Sequence, residues 1–219
     1  MKKNIFFIFF VVIPILSFSQ ENFIDEFGRK QGKWTAKYDN GTIRYKGDFK
    51  DDKPQGIFYF YYDNGNLHIT QDFFHDGSAA ATHIYYKNGF LKAAGLYINK
   101  LKDSTWNYYR KDSTIIMSEK YDKGVLNGTT KTYYNNGSIY ESQRWMNGMR
   151  NGPYKQYYLA GNIQFECFYV NDKKEGEVRS FHENEKIYFQ GNYLNGKRVG
   201  KWNYFDNNGV QDTIVNYNE

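Results

Sequence analysis

Glycine recurs along this chain at a fixed spacing. Gly32, Gly56, Gly128, Gly152, Gly176 and Gly200 are separated by multiples of 24 residues, and Ala80 and Ser104 fill the two gaps. A second column holds Gly41, Gly65, Gly89, Gly137, Gly161 and Gly209, mostly preceded by Asn, with Ser113 and Glu185 as the lapses. Ile43, Leu67, Leu91, Ile115, Ile139, Ile163 and Ile187 form an aliphatic column. Phe49, Phe73, Tyr97, Tyr121, Trp145, Tyr169, Tyr193 and Tyr217 form an aromatic one. Eight units of 24 residues fill positions 28–219 in one register. Such an array buries apolar surface by stacking each unit on the next, and it leaves no stretch for a separate domain.

The apolar content fits strands. Aromatics are 20% of the residues, with 22 Tyr, 18 Phe and 4 Trp, while the mean hydropathy is −0.80. Rings embedded in a polar sequence favour a pleated, half-buried surface. With 20 Gly and only 3 Pro the chain is neither collagen-like nor disordered. The single Cys167 excludes an internal disulfide and a cysteine-based zinc site.

Each unit reads as a β-hairpin closed by Asn-Gly, as at Asn40-Gly41 and Asn136-Gly137, in a type I′ turn whose two central residues take positive φ. That register sets Tyr38 opposite Ile43, Ala36 opposite Tyr45, Trp34 opposite Gly47 and Gly32 opposite Phe49. Each aromatic ring is then expected to cover a cross-strand glycine. Trp34, Ile43, Tyr45 and Phe49 share a packed face, with Thr35, Arg44, Lys46 and Asp48 on the wet one. A second turn, as at Asn147-Gly148 and Asn195-Gly196, links hairpin to hairpin. The fold class is all-β: an elongated antiparallel β-meander of about eight 24-residue β-hairpin repeats, roughly 75 Å long at about 4.8 Å per strand.

The unit Gly128-Thr-Thr-Lys-Thr-Tyr133-Tyr134-Asn-Asn-Gly137-Ser-Ile139, followed by Trp145-Met-Asn-Gly148, resembles the MORN repeat in its bacterial variant form. The resemblance spans about residues 28–219. It implies a repeat scaffold for protein association or lipid contact, and proteins of this kind are often named YwqK-type antitoxins. It supplies no catalytic residues. Units three and four depart from the pattern, with Ala80, Ser104 and Ser113 at glycine positions and Arg110 in place of the second tyrosine.

Residues 1–19 have the form of a secretory signal peptide. Lys2 and Lys3 precede an apolar run from Ile5 to Leu16 and a small-residue site at Ser17-Phe18-Ser19. The expected product is one exported repeat domain, residues 20–219, in the periplasm, at the cell surface or outside the cell. Without Lys2 and Lys3 the net charge of +5 falls to +3, too weak to imply a nucleic-acid partner.

No nucleophile–base pair, phosphate-cradling loop or metal-ligand spacing stands out, so neither an enzyme nor a cofactor is expected. His68, His75, His83 and His182 lack a third ligand in any arrangement, so no metal is expected. The candidate binding residues come from a third ring column, Tyr61, Tyr85, Tyr109, Tyr133 and Tyr157, continued by Phe181 and Phe205 and joined by Tyr140 and Tyr188. Parity places this column on the wet face, accompanied by Lys131, Lys155 and Arg179. A protein partner is the expected ligand, cell-wall glycan stacked on the rings is the alternative, and the basic residues favour an acidic partner. The two terminal strand edges invite a homodimer through a terminal hairpin.

Overall fold

The computed structural model describes residues 21–217; the expected signal segment at 1–19 lies outside them. The described residues form strands and turns with no helix. The first units give β1 (Phe23–Ile24), β2 (Lys30–Lys37), β3 (Ile43–Lys50), β4 (Lys53–Tyr61), β5 (Leu67–Phe74), β6 (Ala79–Tyr85) and β7 (Leu91–Ile98). The middle gives β8 (Leu101–Tyr109), β9 (Ile115–Asp122), β10 (Val125–Leu126), β11 (Gly128–Tyr133), β12 (Ile139–Met146) and β13 (Met149–Tyr157). The array continues through β14 (Ile163–Val170), β15 (Lys173–Phe181), β16 (Ile187–Leu194), β17 (Lys197–Phe205) and β18 (Gln211–Tyr217). Every pairing is antiparallel and follows chain order, so the all-β meander is as expected, with β10 and β11 two pieces of one broken strand.

Three of the four expected hairpin pairs hold: Gly32 with Phe49, Trp34 with Gly47, and Ala36 with Tyr45. The fourth does not. Ile43 pairs with Lys37, because the ladder slips by one residue between Ala36 and Lys37. The Asn-Gly turn is also not type I′. Gly41 N–H donates to the Tyr38 carbonyl and Tyr38 N–H to the Thr42 carbonyl, and only Gly41 has positive φ, at 82°. This is a type I turn followed by a left-handed glycine, the three-residue hairpin loop. Asn is favoured there because its side chain accepts the N–H two residues on, as Asn40 does from Thr42 and Asn136 from Ser138.

Type I′ geometry belongs to the other set of turns, between hairpins. Asp51 and Asp52, Asn99 and Lys100, Asn171 and Asp172, and Asn147 with Gly148 all have positive φ at both central positions. The slip carries Ile43 with Lys37 to the face away from Trp34, correcting the expected grouping.

The glycine column marks bulges. Lys46 pairs with Tyr59 and Asp48 with Gln55, so Gly47 alone opposes Gly56, Ile57 and Phe58. The bulge opens on Gly56 at φ 62°; Gly176 and Gly200 repeat it at 73° and 64°. A Cβ added at Gly56, Gly176 or Gly200 would meet no atom within 4 Å, so the expected ring cover over these glycines is absent. Backbone conformation alone selects glycine there. Ser104 keeps the bulge at φ 57°, whereas at Ala80 strands β5 and β6 pair without a slip. Ser104→Gly is therefore expected to stabilise the protein by about 1 kcal/mol by relieving a left-handed non-glycine residue, and Ala80→Gly to destabilise it by about 1 kcal/mol. Parallel denaturant titrations of the two variants check the opposite signs.

The core is a single row of side chains on the packed face. It consists of Trp34, Phe58, Thr82, Trp106, Thr130, Tyr154, Val178 and Trp202, one per unit. Trp106 and Trp202 are 0% exposed. Three of the large rings lie over a glycine of the preceding strand, Phe58 over Gly47, Trp106 over Gly95 and Trp202 over Gly191, whereas Tyr154 pairs with Gln143. Where that position holds Gln71, the partner shrinks to Thr82; opposite Cys167 stands Val178. The aromatic column packs edge-on against this row, as Phe49 and Phe73 do against Phe58. Lys30, Lys102, Lys174 and Arg198, also one per unit where they occur, place their cations over these rings. Cys167 is buried in this row, and burial pushes its thiol pKa up to about 11.

The first strand edge, expected to be open, is partly covered. Asn22 N–H donates to the Lys33 carbonyl, and the Asn22 side chain both donates to the Thr35 carbonyl and accepts from Thr35 N–H.

Candidate functional site

The residues singled out from sequence divide in two. Tyr61, Tyr85, Tyr109, Tyr133 and Tyr157 do lie on the face away from the core row, but each is half-buried. Each pairs directly with the aliphatic column, Tyr61 with Leu67 and Tyr157 with Ile163. Lys46 sits over Tyr59 and Tyr61, and the Tyr133 and Ser118 hydroxyls lie 3.4 Å apart. Of the accompanying basic residues, Lys155 and Arg179 are both committed to Glu166, at 3.5 and 2.6 Å, whereas Lys131 makes no ion pair among the described residues. Tyr140 and Tyr188 do not join the column. Tyr140 packs on Tyr134 and Tyr188 on Phe189 and Tyr204.

The second tyrosine of each pair has a structural task that the sequence did not disclose. Tyr38 Oη donates to the Tyr61 carbonyl, Tyr62 to Tyr85, Tyr86 to Tyr109, Tyr134 to Tyr157 and Tyr158 to Phe181, at 2.7–2.9 Å. His182 Nε2 makes the same bond to the Phe205 carbonyl. Each unit is thus stapled to the next along the Asn-Gly rim. Arg110 breaks the row. Tyr62→Phe leaves the Tyr85 carbonyl without this donor and is expected to cost about 1 kcal/mol, checked by denaturant unfolding with Tyr59→Phe as the control.

The opposite rim, built of the type I′ turns, carries exposed apolar side chains. Phe74, Ile98, Leu101, Val125, Met146, Met149, Val170 and Leu194 are each between 37% and 50% exposed. Register places Ile98 beside Leu101 and Met146 beside Met149 on the face away from the core row. Successive turns nest: Gly124 lies against Leu101 and Gly148 against Val125, and the Gly124 and Gly148 N–H groups donate to the Lys102 and Leu126 carbonyls. Lys50, Lys53, Lys100, Lys123, Lys173 and Lys197 border the stripe. Exposed apolar side chains set in a row are a feature that interaction surfaces share.

The histidines separate. His68 stacks on Tyr62 with centroids 4.1 Å apart, and burial beside Lys92 holds its pKa below the ordinary value; His83 pairs with Thr70 and Ala94. Among the described residues no group of three or more His, Cys, Asp or Glu converges as a metal site.

A family model for the MORN repeat variant matches residues 30–51, 54–75, 126–147, 150–171 and 174–195, half of the chain. The chain belongs to the MORN repeat variant family. MORN repeats generally serve as protein- or membrane-binding modules. The matched copies are units one, two and five to seven of this MORN array; units three and four, with Ala80, Ser104 and Arg110, and unit eight are outside the match. No curated protein matches the chain. Among solved structures, TarM is 13% identical over 41% of this chain and 18% of its own, with a TM-score of 0.32. A GtfA/B complex bound to UDP and GlcNAc is 14% identical over 53% and 23%, with a TM-score of 0.23. The MORN chain thus spans less than a quarter of either, and likenesses at this level carry no argument.

Proposed function

We propose that this MORN array is an exported, non-enzymatic scaffold that docks a protein partner along its type I′ rim. The apolar stripe from Phe74 to Leu194 carries the reading: it runs through six consecutive units, and its side chains stay 37–50% exposed. A binding surface distributed over identical spacings suits multivalent docking, in which several weak contacts act together. The half-buried tyrosine column lies beside the rim and has less surface to offer a partner.

The test is affinity capture from cell-envelope extract with residues 20–219. One variant carries Leu101→Ser, Met146→Ser and Met149→Ser; a second carries Tyr109→Ser, Tyr133→Ser and Tyr157→Ser. One stoichiometric protein, lost by the rim variant and kept by a folded tyrosine variant, is the expected result. Loss in the tyrosine variant alone moves docking to the ring column, and retention by both sinks the rim. If the captured protein is a toxin, the scaffold acts as its immunity protein. Recovery of cell wall alone, or binding only to anionic vesicles, replaces the protein partner by glycan or by a lipid surface.

A further inference from the structure

The staple row fails at one internal position, and what stands there is a cation. Arg110 occupies the place of Tyr38, Tyr62 and Tyr86, one repeat further on. Its side chain reaches no acceptor among the described residues: Nε is buried without a hydrogen-bond partner, and the guanidinium makes no ion pair. The nearest acid along the chain, Asp112, makes no ion pair with it, being hydrogen-bonded to the backbone N–H and hydroxyl of Thr114, although those bonds together with the Arg110 charge hold the Asp112 pKa below its ordinary value. Among the described residues no side chain donates to the Tyr133 carbonyl, which a tyrosine at this position would have bonded as its equivalents do. In place of that ring there is a hollow of about 530 Å³, walled by Arg110, Tyr133, Tyr134, Tyr140 and Leu159.

We propose that this hollow receives a carboxylate from an acidic segment of a polypeptide partner, with Arg110 as its counter-ion. The chemistry is selective. A guanidinium presents donors in a planar fork that matches a carboxylate, and its Nε is already withdrawn from solvent. Tyr140, 37% exposed and packed edge-on against Tyr134 at 5.1 Å, offers apolar contact to the carbon chain that bears the acid. The orphaned Nε explains why an array would give up a staple: its donor is satisfied only when the acid is present. The site lies on the Asn-Gly rim, opposite the apolar stripe. It rests on the preceding reading only in taking its acid from a protein, and failure of the apolar-rim variant to lose capture would leave it untouched.

The experiment follows the Arg110 Nε–H resonance of the 20–219 chain during titration with N-acetyl-glutamate methylamide, N-acetyl-glutamine methylamide and inorganic phosphate. The expected result is a saturable shift with the glutamate compound and none with the glutamine one. Phosphate acting as well as glutamate, or no shift with any of the three, overturns the assignment. The ring protons of Tyr140, followed in the same titration, should move in wild type and not in Arg110→Gln; movement in both overturns it. Arg110→Tyr adds an independent reading. Restoring the staple should raise Tm by about 2–4 °C while abolishing the glutamate response, and a lowered Tm in a folded Arg110→Tyr protein removes the premise that a staple was exchanged for a binding group.

Discussion

Gly95→Gln is expected to destabilise the protein by about 3 kcal/mol, and combining it with Trp106→Thr is expected to cost less than the two changes made separately. A Cβ at Gly95 would stand 2.3 Å from the Trp106 ring, so any side chain there must expel the indole from its site. Overpacking of this kind costs about 1–3 kcal/mol, and more where the neighbour has nowhere to go. Trp106→Thr alone removes a fully buried ring and should cost about 3–4 kcal/mol. Together the two changes bring in the residue types of the unit before, where Gln71 Nε2 lies 3.3 Å from Thr82 Oγ1 in a ladder without the bulge that Gly95 and Trp106 occupy. The double variant should therefore fall short of the summed losses by about 2 kcal/mol, a coupling of the size seen between residues in contact. Denaturant unfolding of all four proteins measures it. Simple additivity would show that the match of ring to glycine is incidental.

Trp202→Ala is expected to cost about 4 kcal/mol and to open only the end of the sheet. The indole is fully buried among Phe189, Tyr193 and Tyr217, with Arg198 4.3 Å above it. Substantial packing joins only strands adjacent in the sheet, so a defect has no second layer through which to spread. In an array of this kind stability is a sum over units and their interfaces. Hydrogen exchange should accelerate for amides of β16, β17 and β18 and stay unchanged in β3 to β8. Uniform acceleration would mean that the sheet unfolds as one piece.

How far the sequence disclosed this molecule depends on which side of a bulge a residue lies. Fixed columns were enough to pair Gly32 with Phe49 and Trp34 with Gly47, because no slip intervenes between them. Beyond Ala36 the alternation rule fails by one residue, and the error propagates: Ile43 was placed on the wrong face and Tyr38 was set against it. The turns misled for a chemical reason. Asn-Gly serves both a type I′ turn and a side-chain-capped type I turn, whereas the true type I′ turns include Asp51-Asp52 and Asn99-Lys100, which hold no glycine and take the left-handed conformation with residues less suited to it. The same bulges hid the core row. Phe58 and Gly47, Thr82 and Gln71, Trp106 and Gly95 covary in size along the chain, but nothing in a regular ladder would have set residue 58 over residue 47. Of the candidate site, the ring column was placed on the correct face, while its burial and the commitment of Lys155 and Arg179 to Glu166 required the neighbouring strands. Arg110 stood out as a departure without a meaning until the tyrosines around it were seen to bridge units.

The matched pairs of ring and small residue also dictate how such a gene can change length. Gly47 belongs to the first hairpin and Phe58 to the second, so the partners in each pair straddle a hairpin boundary. A crossover at the type I′ turns, removing residues 52–75, would bring Thr82 over Gly47 and leave a void where Phe58 had been. A crossover at the Asn-Gly turns, removing residues 63–86, takes out Gln71 and Thr82 together and leaves Gly47 with Phe58 and Gly95 with Trp106. Only the second recombinant should keep its full stability per remaining unit. The segment that can be copied or lost without penalty is thus half a period out of phase with the hairpin that folds.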